Sequence, residues 1–179
     1  MSKFYTDLNA KLCDFIEDQK IFFVATAGKE GRVNLSPKGM DSLRILNSNQ
    51  LLWLSLTGSG NETAAHLLEI PRMTLMFCSF EGSPLILRVY GKARAIHPRD
   101  KEWAEHISRF PEFPGSRQIF ILDVESAQTS CGFAVPNYQY QEDRGELVNW
   151  SEKIGEEGVK NYWKEKNQIS IDGKPTEIF

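Results

Sequence analysis

The sequence predicts a mainly β protein, a closed antiparallel barrel of six or more strands with helices packed on its outside. Apolar runs of strand length follow one another along most of the chain, separated by turn residues. Helical patterns interrupt that series rather than alternating with it, which argues against a parallel, doubly wound sheet. No GxGxxG segment follows a strand within a βαβ unit, so the dinucleotide-binding fold is excluded.

The elements follow in order. From Asp7 to Gln19, Leu8, Leu12, Phe15 and Ile16 recur at helical spacing, with Thr6 or Asp7 available as a cap. Ile21 to Thr26 is a buried strand, and the polar turn Ala27 to Arg32 leads into a second strand, Val33 to Lys38, forming a hairpin. Leu51 to Leu56 is a third strand, and Glu62 to Ile70 a short helix stopped by Pro71. Met73 to Phe80 and Leu85 to Ile96 form an antiparallel pair around the Glu81 to Pro84 turn. A helix from Asp100 to Arg109 precedes a further strand, Gln118 to Ala127, and an amphipathic helix is expected from Glu156 to Asn167. The whole reads as a single domain, 1–179, with 151–179 as a helical C-terminal appendage.

With 179 residues, 41% hydrophobic, the chain can bury one substantial core. A formal net charge of −3 argues against a general nucleic-acid or anionic-membrane binder, so any basic site is local. There is no apolar run long enough to span a bilayer and no secretory pattern at the start, which predicts a cytoplasmic location. Cys13, Cys78 and Cys131 are widely spaced and read as reduced thiols. His66, His97 and His106 have no metal-ligand spacing, so no metal is expected.

The most informative stretch is Thr57-Gly58-Ser59-Gly60-Asn61-Glu62-Thr63, where a strand breaks into small polar residues and opens a helix. Free backbone N–H groups and hydroxyls at a positive helix end suit a phosphate. The same residues also fit plain capping, with Glu62 reaching back to Ser59. Gly58-Ser59-Gly60 is not the GxSxG elbow of a hydrolase. Lys38, after Ser36-Pro37 at a strand end, would supply counter-charge to an anion, with Arg44 and Arg88 as further candidates. Arg88 lies in an apolar strand and is expected to meet a carboxylate, a phosphate or the dimer partner, a structural salt bridge first among these. Trp53, Met73, Met76, Phe77, Phe80, Leu85 and Leu87 offer more apolar surface than one barrel interior uses, which suggests a homodimer.

Taken together, Asn34 to Gly39, Thr57 to Leu67, Met73 to Cys78, Leu85 to Ala93 and Ser130 to Pro136 resemble the pyridoxamine 5′-phosphate oxidase-like flavoproteins. The resemblance implies an FMN-binding split β-barrel, a homodimer with FMN in clefts between subunits. It places Ser36 and Lys38 on an early strand near the cofactor phosphate, and Thr57, Gly58, Ser59, Asn61 and Thr63 on the phosphate loop. Phe133 either packs near the flavin or belongs to the core. The oxidases proper carry Ser-Arg-Lys where this chain has Asn61-Glu62-Thr63, and a glutamine where it has Ile86. Their C-terminal arginine and histidine segment, which grips pyridoxal phosphate, has no match. The expected function is therefore an FMN-dependent oxidoreductase of unknown substrate rather than an enzyme of vitamin B6 synthesis, with no catalytic acid or base to name. The alternatives are a non-enzymatic flavin-binding or storage protein and a haem-binding relative using His66, otherwise a surface helix residue, as axial ligand.

Overall fold

The computed structural model describes residues 2–179; Met1, with which the expected single domain begins, lies outside the described residues. Eight strands, β1 (Lys3–Tyr5), β2 (Phe22–Thr26), β3 (Asn34–Lys38), β4 (Leu43–Asn47), β5 (Gln50–Leu56), β6 (Arg72–Cys78), β7 (Ile86–Ile96) and β8 (Ser116–Ser130), form one antiparallel sheet. Four helices flank it, α1 (Ala10–Asp18), α2 (Glu62–Glu69), α3 (Trp103–Ile107) and α4 (Glu146–Lys166). The strand order is β3-β2-β6-β7-β8-β5-β4, with β1 paired to β8. The expected strands are present, their ends shifted by a few residues. β1 and β4 are additions: β1 has only three residues, and every position of β4 is half-buried or exposed, so neither carries a strong apolar pattern.

Phe22 on β2 meets Trp53 on β5 edge-on, ring centroids 6.5 Å apart, although three strands separate β2 from β5 in the sheet. The sheet is therefore strongly curled around a shared interior. It does not close as expected: the hydrogen-bonded path ends at β3 and β4, which do not pair among the described residues. The link between them, Gly39 to Ser42, contains Met40 in the left-handed region (φ 59°), and this turn carries the chain away from its own strand instead of into a hairpin.

The interior is filled by Val24, Trp53, Leu75, Phe77, Leu87, Val89, Phe120 and Leu122, all at most 3% exposed, and is plugged by Leu12 and Ile16 of α1 and Ala64 and Leu67 of α2. Phe22 stacks on Phe77, and Trp53 on Phe120. Leu52, Leu54, Ile96, Ile119 and Ile121 pack on the opposite face under Trp103, Ile107 and Phe110. β5 is thus covered on both faces, which explains its continuous apolar run. Fully burying each such Leu or Ile contributes about 1.5–3 kcal/mol relative to exposure.

Several expectations are corrected. Asn9, not Thr6 or Asp7, caps α1 by accepting from Leu12 N at 3.2 Å. α4 begins ten residues before Glu156 and is broken by Gly155 (φ 66°), whose position outside the helical region splits one apolar stripe into two. Arg88 has no carboxylate among the described residues and donates to Ser130 Oγ at 3.2 Å. Trp53, Met73, Phe77 and Leu87 are buried within the single chain, so they are not spare surface for a partner.

β7 and β8 pair over eleven residues with a bulge between Tyr90 and Gly91. A Cβ on Gly91 would collide with the Asp123 carbonyl oxygen. Gly91→Ala is therefore expected to lower the unfolding free energy by more than about 2 kcal/mol. Urea denaturation checks this, and a loss within error would mean the bulge tolerates a side chain.

Candidate functional site

β5 ends at Leu56, and the loop that follows is held both by its backbone carbonyls and by the side chains of Thr57 and Asn61. Thr57 donates to Gly115 O through both N (2.9 Å) and Oγ1 (2.8 Å), and its Oγ1 accepts from Trp163 Nε1 at 2.8 Å. The Gly58 carbonyl accepts from Asn167 Nδ2 at 3.0 Å, and the Gly60 carbonyl from Arg117 Nη1 at 2.9 Å. Asn61 exchanges amide hydrogen bonds with the buried Gln118 at 3.0 and 3.3 Å. Thr57 and Asn61 therefore face the protein.

The first turn of α2 carries no side-chain cap, although Thr63, Ala64 and Ala65 are buried. Glu62 does not close a capping box on Ser59. Its carboxylate instead accepts from the backbone N–H of Ile171, in the chain beyond α4, at 3.0 and 3.2 Å. Asn34 joins β3 to this helix: its Nδ2 donates to Thr63 Oγ1 at 3.3 Å, and its Oδ1 accepts from Ser36 Oγ at 3.1 Å. Ser36 and Thr63 are thus brought together.

In front of the uncapped turn lies a cavity of about 510 Å³ lined by β3, the loop, α2 and the segment after α4. Ser59, Asn34, His66, Arg32, Lys166 and Glu62 are on its walls. His66 is 1% exposed, not the surface residue expected, because it lies one turn after Thr63 on the inward face of α2. Its Nδ1 pairs with Thr26 Oγ1 at 3.0 Å, and its Nε2 has no hydrogen-bond partner among the described residues. Arg32 is also bound to Asp172, whose carboxyl is held low by the Arg32 backbone N–H and guanidinium. Arg32 and Lys166 come from segments far from the loop in sequence, so loop spacing alone carried no signal for them. An orphaned imidazole nitrogen, a hydroxyl, open helix N–H groups and Lys166, with Arg32 held by Asp172, suit a phosphate monoester.

The remaining predicted residues lie elsewhere. Lys38 Nζ sits 5.1 Å from the centroid of Trp53, and Lys38 lines a separate cavity of about 710 Å³ with Gly39, Met40, Tyr140 and Arg144. Phe133 is 81% exposed on the segment after β8.

A single curled antiparallel sheet with flanking helices and a polar cavity at a helix start is the class of protein that these features define. The sequence matches the family model described as pyridoxamine 5′-phosphate oxidase over residues 8–131. It is 34% identical to a pyridoxamine 5′-phosphate oxidase family protein, ustO, of Aspergillus flavus, over 98% of this chain and 78% of that protein. The chain belongs to the pyridoxamine 5′-phosphate oxidase family. Its fold is similar to that of a pyridoxamine 5′-phosphate oxidase candidate from Lactobacillus delbrueckii (TM-score 0.55, 20% identity, 69% of this chain and 94% of that one). It is also similar to an FAD-binding protein from Mycobacterium smegmatis (TM-score 0.50, 15% identity, 70% of this chain and 97% of that one). Among the described residues no helix is long and apolar enough to cross a membrane.

Burial, and secondarily the charge of Arg117, push the Lys38 ammonium down to about 8. The unfolded chain holds that proton up to about pH 10.4, so charging Lys38 disfavours the fold below pH 8, and the penalty fades as pH rises through that window. Lys38→Met should therefore be more stable than the parent at pH 7, with an advantage that shrinks between about pH 8 and 10.4. Denaturant titrations across that range measure it.

Proposed function

We propose that this protein binds FMN, with the flavin phosphate at the start of α2 in the 510 Å³ cavity and with oxidoreductase chemistry at the ring. The observation that carries this reading is the buried but uncapped first turn of α2, opening beside an unpartnered His66 Nε2. Helix N–H groups in that position want an anion, and a phosphate monoester fills more of them than a carboxylate does. Ser59 donates from the rim, Asn34 fixes the distance between β3 and α2, and Lys166 provides charge, while Arg32 is held by Asp172. When bound, a flavin supplies hydride and single-electron chemistry that needs few protein groups. The family resemblance and the fold neighbours support the cofactor class.

FMN titration followed by quenching of flavin fluorescence tests the reading. Saturable binding is expected in the parent, and Ser59→Asp, which brings a carboxylate to the rim, should weaken it by about tenfold or more. Unquenched flavin at high protein concentration would overturn it. Anaerobic bleaching of bound flavin by NAD(P)H separates an oxidoreductase from a storage protein, and a Soret band on adding haem would favour the haem reading with His66 Nε2 as ligand.

The assembly proposed here is a homodimer in which flavin lies near the subunit boundary. β3 turns Asn34, Ser36 and Lys38 inward and leaves Leu35 outward, 61% exposed. Such a face on an edge strand favours self-association. Light scattering should give twice the chain mass, and Leu35→Glu should shift it toward the monomer.

A further inference from the structure

Arg117 is 5% exposed, yet no carboxylate meets it among the described residues. Its acceptors are all neutral: the Gly60 carbonyl at 2.9 Å, Asn167 Oδ1 at 2.9 Å and Ser55 Oγ at 3.1 Å, while its Nε has no partner. A buried cation normally recruits an anion, because leaving its charge uncompensated in a low-dielectric setting is costly. Here the surrounding protein solvates Arg117 with dipoles and leaves the charge standing behind the loop. Burial pushes it down to about 10, still protonated at neutral pH.

Arg117 enters this position because β8 bulges there. Ser55 pairs with Gln118 and Leu56 with Ser116, so Arg117 has no cross-strand partner and is re-aimed toward the loop. Asn167, fully buried just after α4, completes the arrangement: its Oδ1 receives Arg117 and its Nδ2 holds the Gly58 carbonyl at 3.0 Å. In a trans peptide the C=O and the following N–H point in opposite directions. Drawing the Gly58 and Gly60 carbonyls toward Asn167 and Arg117 turns the N–H groups of Ser59 and Asn61 the other way. Ser59 and Gly60 line the cavity, whereas Arg117 and Asn167 do not.

We propose that Arg117 and Asn167 are positioning residues for an anionic ligand group: from behind the loop Asn167 turns the Ser59 N–H toward the cavity, while Arg117 holds the Gly60 carbonyl and adds its uncompensated charge to the same side. The loop of this chain lacks basic residues at Asn61-Glu62-Thr63, and the cation that serves it comes from β8 instead. This rests on the phosphate reading given above.

The test compares FMN with riboflavin, which lacks the phosphate, by fluorescence titration of the parent, Asn167→Ala and Asn167→Asp, with thermal melts of each. Asn167→Asp keeps the acceptor for Arg117 and the side-chain volume but loses the donor to Gly58. Either variant should lose about tenfold or more in FMN affinity while riboflavin affinity is unchanged, so that the preference for FMN collapses. Arg117→Lys, which keeps the charge, should retain more of that preference than Arg117→Met. If both ligands weaken together, or the FMN preference survives in every folded variant, the positioning role is overturned. A parent that binds FMN no better than riboflavin would overturn the phosphate reading, and this role with it.

Discussion

β8 is the constraint on which the rest depends. Its fifteen residues pair with β7 along one edge and with β5 and then β1 along the other, so it is the strand through which both halves of the curled sheet are joined. Phe120 and Leu122 fill the interior from it, and Ile119 and Ile121 fill the layer beneath α3. The same strand carries Gln118, which fixes Asn61, and Arg117, which fixes Gly60. Core and cavity therefore share one scaffold, and the loop after β5 inherits its rigidity from a strand that is buried on both faces.

That arrangement explains what the sequence disclosed and what it withheld. β2, β5, β6, β7 and β8 are legible because burial on one or both faces imposes apolar runs that only a sheet accommodates. β4 is not, since its residues pack only partly and Arg44, its second residue, is spent on Asp41 and the Arg109 carbonyl. The first part of α4 is hidden by Gly155, which breaks the periodicity that would have extended the helix backward. In the site, the loop and the start of α2 are visible as a run of small polar residues. The identity of their partners is not, because Trp163, Asn167 and Ile171 reach the loop from more than a hundred residues away. Glu62 illustrates the point: local spacing favours Ser59, and a distant backbone N–H wins.

The polar end of the barrel is also an economy of charge. The charge of Arg117 adds to burial in depressing Lys38, and neither meets a carboxylate among the described residues. Carboxylates are present at the outer rim instead, where Asp172 pairs with Arg32 and Glu69 with Lys174. In an acidic chain, that segregation places positive potential inside the polar end and balances it at the surface, which favours an anion entering from solvent.

The segment after α4 grips the barrel at points scattered along the chain: Glu62 by Ile171, Arg32 by Asp172, Glu69 by Lys174, and Arg99 through the carbonyls of Glu177 and Ile178. Each contact closes a long loop, an entropic cost that must be met before the contact exists. The sheet has no such dependence, because hairpins such as β6–β7 join near neighbours. Folding should accordingly proceed from a formed barrel to a late docking of this segment, and the native molecule should open along the same seam before its core loosens. The cavity would then be the last part of the molecule to be assembled and the first to breathe, so that ligand entry and the order of folding are set by one and the same strap.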